Sequence, residues 1–315
     1  MEVTILIMGV VLFIMYRILT HTKAEPESKI DEAQVNQYLY QFERENTIPY
    51  IKLTASPTPH ISPMCSKLGG TPYLPPGFVY PTTACGKVLT FLAQLNFEDM
   101  PALENFPSAG ILQFYILQDH DLGLTSQQFK VVYHPEVIEA APIPPPPPYQ
   151  GEGATLPFAG EYLLTGAIKD SPMNIYHHRF PHKFAMFCKA NNLETLFAPY
   201  FKDYYEDDHN QYGFQHNQLA NLVTAALSTG GDHALGGHPY FATQDPRHTT
   251  ALAQYDTLLL QVASEYDEDR DIYQVQWGDC GVANFFINAQ DLKNRNFQNI
   301  LYHWDCHQKG ENTHD

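Results

Sequence analysis

Three groups of residues have the types and spacing to do chemistry. The first is rich in histidine: His177, His178 and His182 in YHHRFPHK, His233 and His238 around a Gly-Gly pair, and His303, Cys306 and His307 in HWDCH. Imidazole and thiolate are zinc donors, and a structural zinc takes four of them, signalled by paired close spacings. His303-x-x-Cys306-His307 supplies one such pair and no second pair stands beside it, so neither a metal nor a cofactor is assigned. A CxxCH haem attachment is excluded because its first position is His303. The second group is carboxylate. YYEDDH (204–209) and YDEDRD (266–271) lack the glycine of a calcium loop and read as solvated acidic loops, or as contacts for a protein partner with a basic surface.

The third group is tied to an internal repeat. Residues 68–73 read LGGTPY and residues 235–240 read LGGHPY, five of six positions agreeing at an offset of 167. Leu92, Gln94 and Glu98 match Leu259, Gln261 and Glu265 at that offset, while Gly110, Phe114, Tyr115 and Ile116 match Gly281, Phe285, Phe286 and Ile287 at 171. Ordered blocks at near-constant spacing mark a duplicated unit. Each copy has a glycine turn, a strand bearing a glutamine, and a strand entered through glycine. An amide inside an apolar strand must be hydrogen-bonded, because leaving it unpaired costs about 1–3 kcal/mol. Either it ties down a loop or it faces a cleft between the halves. On the second reading Gln94, Gln261, Trp277 and Asp279 line a ligand-binding cleft, with Asp279 beside an aromatic wall. The plainer role for Asp279 is an Asx turn. The Gly-Gly pairs lack the Lys-Ser/Thr of a phosphate loop, and no GxSxG, HExxH or GxGxxG motif is present, so no catalytic residue is assigned.

The elements that must position these residues are short. Residues 28–46 predict a helix with Ser28 as N-cap and Ile30, Ala33, Gln37, Tyr38 and Phe42 on one face. Apolar runs of strand length follow at 88–95, 111–117 and 129–133. PIPPPPP (142–148) reads as a stiff spacer, or as a ligand for an SH3- or WW-like groove. Helices are expected at 192–205, 215–227 and 288–296, and strands at 257–264, 272–277 and 282–287. The 315 residues suit two domains, or one large domain of two halves. Charged residues make up 17%, against 24 prolines and 13% aromatics, which favours turns and aromatic-rich strands over a helical bundle. A formal charge of −17 repels phosphate and excludes nucleic acid as a partner of the whole chain. Five widely spaced cysteines without a CxxC pair read as free thiols in a reducing compartment.

Residues 3–19, VTILIMGVVLFIMYRIL, carry Arg17 as their only charge. At about 1.5 Å per residue they span about 25 Å, enough for one transmembrane helix. Arg17, Lys23 and Lys29 favour a cytoplasmic main domain on a single-pass cell-membrane protein. The alternative is export after signal-peptide cleavage near Thr22-Lys23-Ala24, although Glu2 stands where such a peptide is basic.

KLGGTPYLPPGFVYP (67–81), FLAQLNFEDMP (91–101), GILQFYI (110–116), QWGDCGVANFFINAQDLKNRNF (276–297) and WDCH (304–307) together resemble the DUF1963, or YwqG-like, family of unknown function. The resemblance covers roughly residues 50–307 and implies an α+β fold of two related halves, but no activity. The expected organisation is therefore an anchor and flank (1–24), a linker and amphipathic helix (25–48), a first half (49–142), a proline-rich linker (143–159), a second half (160–307) and a disordered tail (308–315). The fold class is α+β, with two pseudo-repeated halves of largely antiparallel sheet, YwqG-like, preceded by one N-terminal transmembrane helix. The expected function is a non-enzymatic protein- or ligand-binding module. Its alternative is a hydrolase-like enzyme using Asp279 with His303 or His307.

Overall fold

A computed structural model describes residues 30–125, 127–139, 143–206 and 218–307. The expected anchor at 3–19, the cleavage site, much of YYEDDH and the 308–315 tail lie outside the described residues. Among the described residues no helix is long and apolar enough to cross a membrane.

The chain is α+β, and its main element is a ten-stranded sheet with every strand pair antiparallel. Two long strands form its centre, β1 (Thr47–Pro57) and β6 (Glu161–Pro172), paired from Thr47↔Pro172 to Pro57↔Tyr162. Outward from β6 run β2 (Lys67–Gly69), β3 (Thr90–Asn96), β4 (Ile111–Ile116) and β5 (Phe129–His134). Outward from β1 run β7 (His233–Gly236), β8 (Thr257–Ala263), β11 (Val282–Ile287) and β12 (Ile300–Asp305), while β9 (Glu265–Asp267) and β10 (Ile272–Val275) form a separate ribbon. Each long strand thus pairs with the meander that follows the other one in the chain.

The sheet curls until its two ends meet. Phe114 on β4 lies 4.9 Å from Phe285 on β11, and Phe129 on β5 lies 5.5 Å from Tyr302 on β12. Trp304 Nε1 donates to Asp121 O (2.6 Å) and the Tyr302 hydroxyl to Leu122 O (3.2 Å). No strand ladder joins β5 to β12, so the barrel is nearly closed rather than closed. Every residue of β3, β4 and β11 is buried, which is why their sequences are largely apolar on both faces, with Thr90, Gln94, Asn96, Gln113 and Asn284 as buried polar exceptions. Leu92 on β3 and Leu259 on β8 are each skipped in the register to the next strand, a one-residue bulge in both places.

Four helices, Glu32–Glu45, Phe180–Ala190, Glu194–Glu206 and Gln218–Leu227, contribute to a second core. Phe42 sits edge-on to Phe180, Phe184 and Phe187 at 5.2–5.6 Å. This corrects the first helix. Asp31, not Ser28, is the N-cap, accepting from the amides of Ala33 and Gln34. The buried face is Val35, Leu39 and Phe42, with Ala33 and Gln37 exposed, because the phenylalanines of the Phe180 helix select which stripe is covered. The proline run 143–148 has no regular structure and carries the chain from β5 at the sheet end back towards β6 at its centre.

Candidate functional site

Two glycine turns organise the outer face of the sheet, each with a glutamine beneath it. In the first, Gln94 Oε1 accepts from Tyr73 N (2.9 Å) and Gln113 Nε2 (3.1 Å), and its Nε2 donates to Pro63 O (2.6 Å) and Cys65 O (2.7 Å). Gln113 Nε2 also donates to Tyr73 O (2.6 Å). In the second, Gln261 Oε1 accepts from Tyr240 N (2.7 Å), its Nε2 donates to Asp232 O (2.7 Å), and Asn284 Nδ2 donates to Tyr240 O (3.0 Å). Further bonds match as well. Asn96 N donates to Ser66 Oγ and Ala263 N to His233 Nδ1, while Phe97 N donates to Gly110 O and Ser264 N to Gly281 O. Gly237 has φ +80°, and a Cβ there would stand 2.8 Å from Tyr50 Cβ, so only glycine brings the turn this close to β1.

The two frames differ in what fills them. Lys67 pairs in register with Gln94, and Ala234 pairs in register with Gln261. The Lys67 side chain is wholly buried, its Nζ donating to Thr71 O (3.0 Å), Ile61 O (3.5 Å) and Glu161 Oε1 (2.7 Å). Ala234 stops at Cβ and lines a cavity of about 340 Å³ with Tyr50, Asp170, Asp232, His238 and Gln261. A second cavity of about 260 Å³ adjoins it through Gly231 and Tyr240 and is walled by Tyr266 and Tyr273.

The larger cavity is acidic. Asp232 takes Lys52 Nζ (2.7 Å) at its rim and the Tyr50 hydroxyl (2.9 Å). Burial, then the bond to Asp232, raises the Tyr50 pKa. His238 donates its amide to Ser171 Oγ (2.9 Å), and its Nε2 lies 3.1 Å from Asn46 O, which makes that nitrogen the protonated one. Burial lowers its pKa to about 4, so the ring is neutral near pH 7. Behind it His177 stands edge-on at 5.1 Å, with His178 at 4.9 Å from His177. Burial holds His177 well below its ordinary value, with Arg247 adding to the effect.

His177, His178 and Asp245 bring three metal-ligand atoms within 4.8 Å of one another. The Asp245 carboxylate is already saturated. Oδ1 accepts from Arg247 N and Nε (both 2.9 Å), and Oδ2 from Arg247 Nη2 (2.7 Å) and His178 N (3.1 Å). A guanidinium in contact with the carboxylate repels a divalent ion, so this cluster is an ion-pair network rather than a metal centre. Asp119, His120 and Asp121 form a second such set, but Asp119 caps Gly123 N (2.7 Å) and Asp121 caps Thr125 N (2.9 Å). His303, Cys306 and His307 are not among the converging sets in the described residues.

The four residues expected in one cleft are spread over the structure. Gln94 is buried with every amide valence used. Trp277 is buried in the barrel core, 5.8 Å from Trp304, and its indole N–H has no partner among the described residues. Asp279 lies on an exposed turn whose main-chain carbonyl accepts from His307 N (3.1 Å). Gln261 lines the cavity. Tyr50, Asp232 and Ala234 were not singled out for a site from sequence, and His238 only as one of the histidines weighed as zinc donors. One signal for them was legible: KLGGTPY set against ALGGHPY already exposes the Lys67-to-Ala234 difference.

This asymmetry predicts unequal mutants. Gln94→Ala strands buried groups on Tyr73, Pro63, Cys65 and Gln113, and is expected to cost at least about 2 kcal/mol. Gln261→Ala is expected to cost about 1 kcal/mol, since water in the cavity can replace its two bonds. Urea unfolding midpoints measure both, and equal losses would refute the difference.

Residues 66–306 match the family model described as a domain of unknown function, DUF1963. No curated protein matches the chain.

Proposed function

The chain belongs to the DUF1963 family, whose description assigns no activity, and from that premise we propose that it is a non-enzymatic binding module with its ligand site in the second frame. The two frames are read as copies of one duplicated unit. The matched bonds of Gln94 and Gln261, and the bulges at Leu92 and Leu259, support that reading. One observation carries the functional proposal: the place filled by the chain's own Lys67 in the first frame is an open cavity in the second. A duplicated fold needs its turn–strand frame twice for stability. It does not need one frame left unfilled, because lining a void forfeits packing contacts. The apolar run 3–19, with Arg17 near its end and Lys23 and Lys29 after it, supports tethering at the cytoplasmic face of a membrane. The charge of −17 supports a partner with a basic surface.

Ala234→Met fills the cavity without adding charge. Native mass spectra of the full-length chain, purified in detergent without added ligand, should retain extra mass in the wild type and lose it in Ala234→Met. Equal retained mass in both would place the ligand elsewhere. A bare polypeptide mass in both would overturn the small-ligand site in favour of protein recognition.

A further inference from the structure

We propose that the cavity beneath the second glycine turn binds a primary ammonium group carried on a short alkyl chain, a reading that rests on the cavity being the ligand site. The first frame is the template. There the ammonium of Lys67 is fully buried and held by Thr71 O, Ile61 O and Glu161 Oε1. The register carries each position across. Gly69 pairs with Glu161 in the first frame, and Gly236 pairs with Tyr50 in the second, so Tyr50 stands where Glu161 does. Its hydroxyl is bonded to the Asp232 carboxylate (2.9 Å), which brings the acid of the second frame to the same side of the turn. Thr71 corresponds to His238, which lines the cavity. Lys67 corresponds to Ala234, and the three stem carbons beyond Cβ and the ammonium are what is missing.

The charge of the lining points the same way. Asp170 and Asp232 both line the cavity, and no Lys or Arg does. Lys52, paired in register with Ala234, offsets Asp232 with its side chain 43% exposed, and the exposed Asp170 is the second acid of the lining. Tyr50 and Tyr240 supply aromatic wall, and an ammonium is attracted to an aromatic face as it is desolvated. A carboxylate or phosphate ligand would meet repulsion from Asp170, and a neutral alcohol would leave that acid without a counter-charge.

Isothermal titration of the full-length chain in detergent tests this with three probes of similar length: n-butylammonium, 1-pentanol and pentanoate. The expected result is binding of n-butylammonium at least tenfold tighter than either of the others. That binding should weaken at least tenfold in Ala234→Met and vanish in Ala234→Lys, whose tethered ammonium occupies the place. Circular dichroism checks that each variant is folded, and Ala234→Met carries the test if Ala234→Lys does not fold. If 1-pentanol or pentanoate binds as tightly and loses affinity in Ala234→Met, the cavity reading stands and the ammonium assignment is overturned. If no probe distinguishes wild type from Ala234→Met, the cavity reading itself fails. Nα-acetyl-lysine N-methylamide separates the two sources of the group. Tighter binding than n-butylammonium assigns the site to a lysine residue of a partner protein, and weaker binding assigns it to a free amine.

Discussion

Arg247→Ala is expected to lower the unfolding free energy by about 3–5 kcal/mol, the usual loss when one member of a buried ion pair is removed. The Arg247 side chain is wholly buried and grips Asp245 with Nε (2.9 Å) and Nη2 (2.7 Å), while Nη1 donates to Tyr255 O (3.1 Å). Its guanidinium also lies 4.1 Å over the Phe286 ring. Burial alone would raise the Asp245 carboxyl, but the Arg247 bonds outweigh it and hold the group below its ordinary value. Without Arg247 that carboxylate is left charged and buried. Since domains are stable by only about 5–15 kcal/mol, the loss is a large share of the total. The effect reaches the cavity, because Asp245 Oδ2 also anchors the His178 amide beside His177 and His238. Arg247→Lys keeps the charge but cannot form the two-pronged contact, so an intermediate loss is expected. Guanidinium unfolding followed by circular dichroism measures both. A loss under about 1 kcal/mol in Arg247→Ala would show that the pair is hydrated and not a structural anchor.

Stability is also expected to fall as pH drops from about 6.5 to about 4. Burial lowers the folded pKa of His238 from 6.5 to about 4. Between those values the unfolded chain takes up a proton that the folded chain refuses, so the stabilisation is complete above about 6.5 and is lost on acidification. At about 1.4 kcal/mol per pH unit, His238 contributes about 3 kcal/mol to this slope. His134, His177, His178 and His303 are lowered by burial too and act in the same direction. Asp245 adds to the loss only at lower pH, as its own depressed pKa is reached. His238→Gln preserves a donor for Asn46 O without a titrating ring. Urea unfolding from pH 4 to 7.5 should show a flatter profile for that variant, which becomes the more stable form near pH 4.5. Parallel profiles would mean that His238 is hydrated when protonated and carries none of the slope.

How much of this was legible in the residues follows from what is local. Runs such as Thr90–Asn96, Ile111–Ile116 and Val282–Ile287 could be read as strands because both faces are buried, so they are mostly apolar between turn residues, broken only by Thr90, Gln94, Asn96, Gln113 and Asn284. The glycine turns could be read because positive φ and close approach admit little but glycine. The glutamines could be read as hydrogen-bonded because a buried amide has no cheaper state. Strands Thr47–Pro57 and Glu161–Pro172 were missed. Both are partly exposed, the first carries prolines at 49 and 57, and the second mixes exposed and buried positions without a clean alternation. Phe180–Ala190 was missed despite Phe180, Phe184 and Phe187 at helical spacing, and those rings then set the buried face of Glu32–Glu45.

Pairing across the sheet was not in the sequence at all. That Thr47–Pro57 lies beside His233–Gly236, and Glu161–Pro172 beside Lys67–Gly69, depends on contacts between segments far apart in the chain. No periodicity encodes such partners, because side-chain alternation specifies a face and not a neighbour. The difference between Lys67 and Ala234, one residue before the LGG turns, was legible in the residues though not singled out. That it leaves a cavity edged by Asp170, Asp232, Tyr50 and His238 was not, since a void exists only where surrounding elements hold their places without the missing side chain.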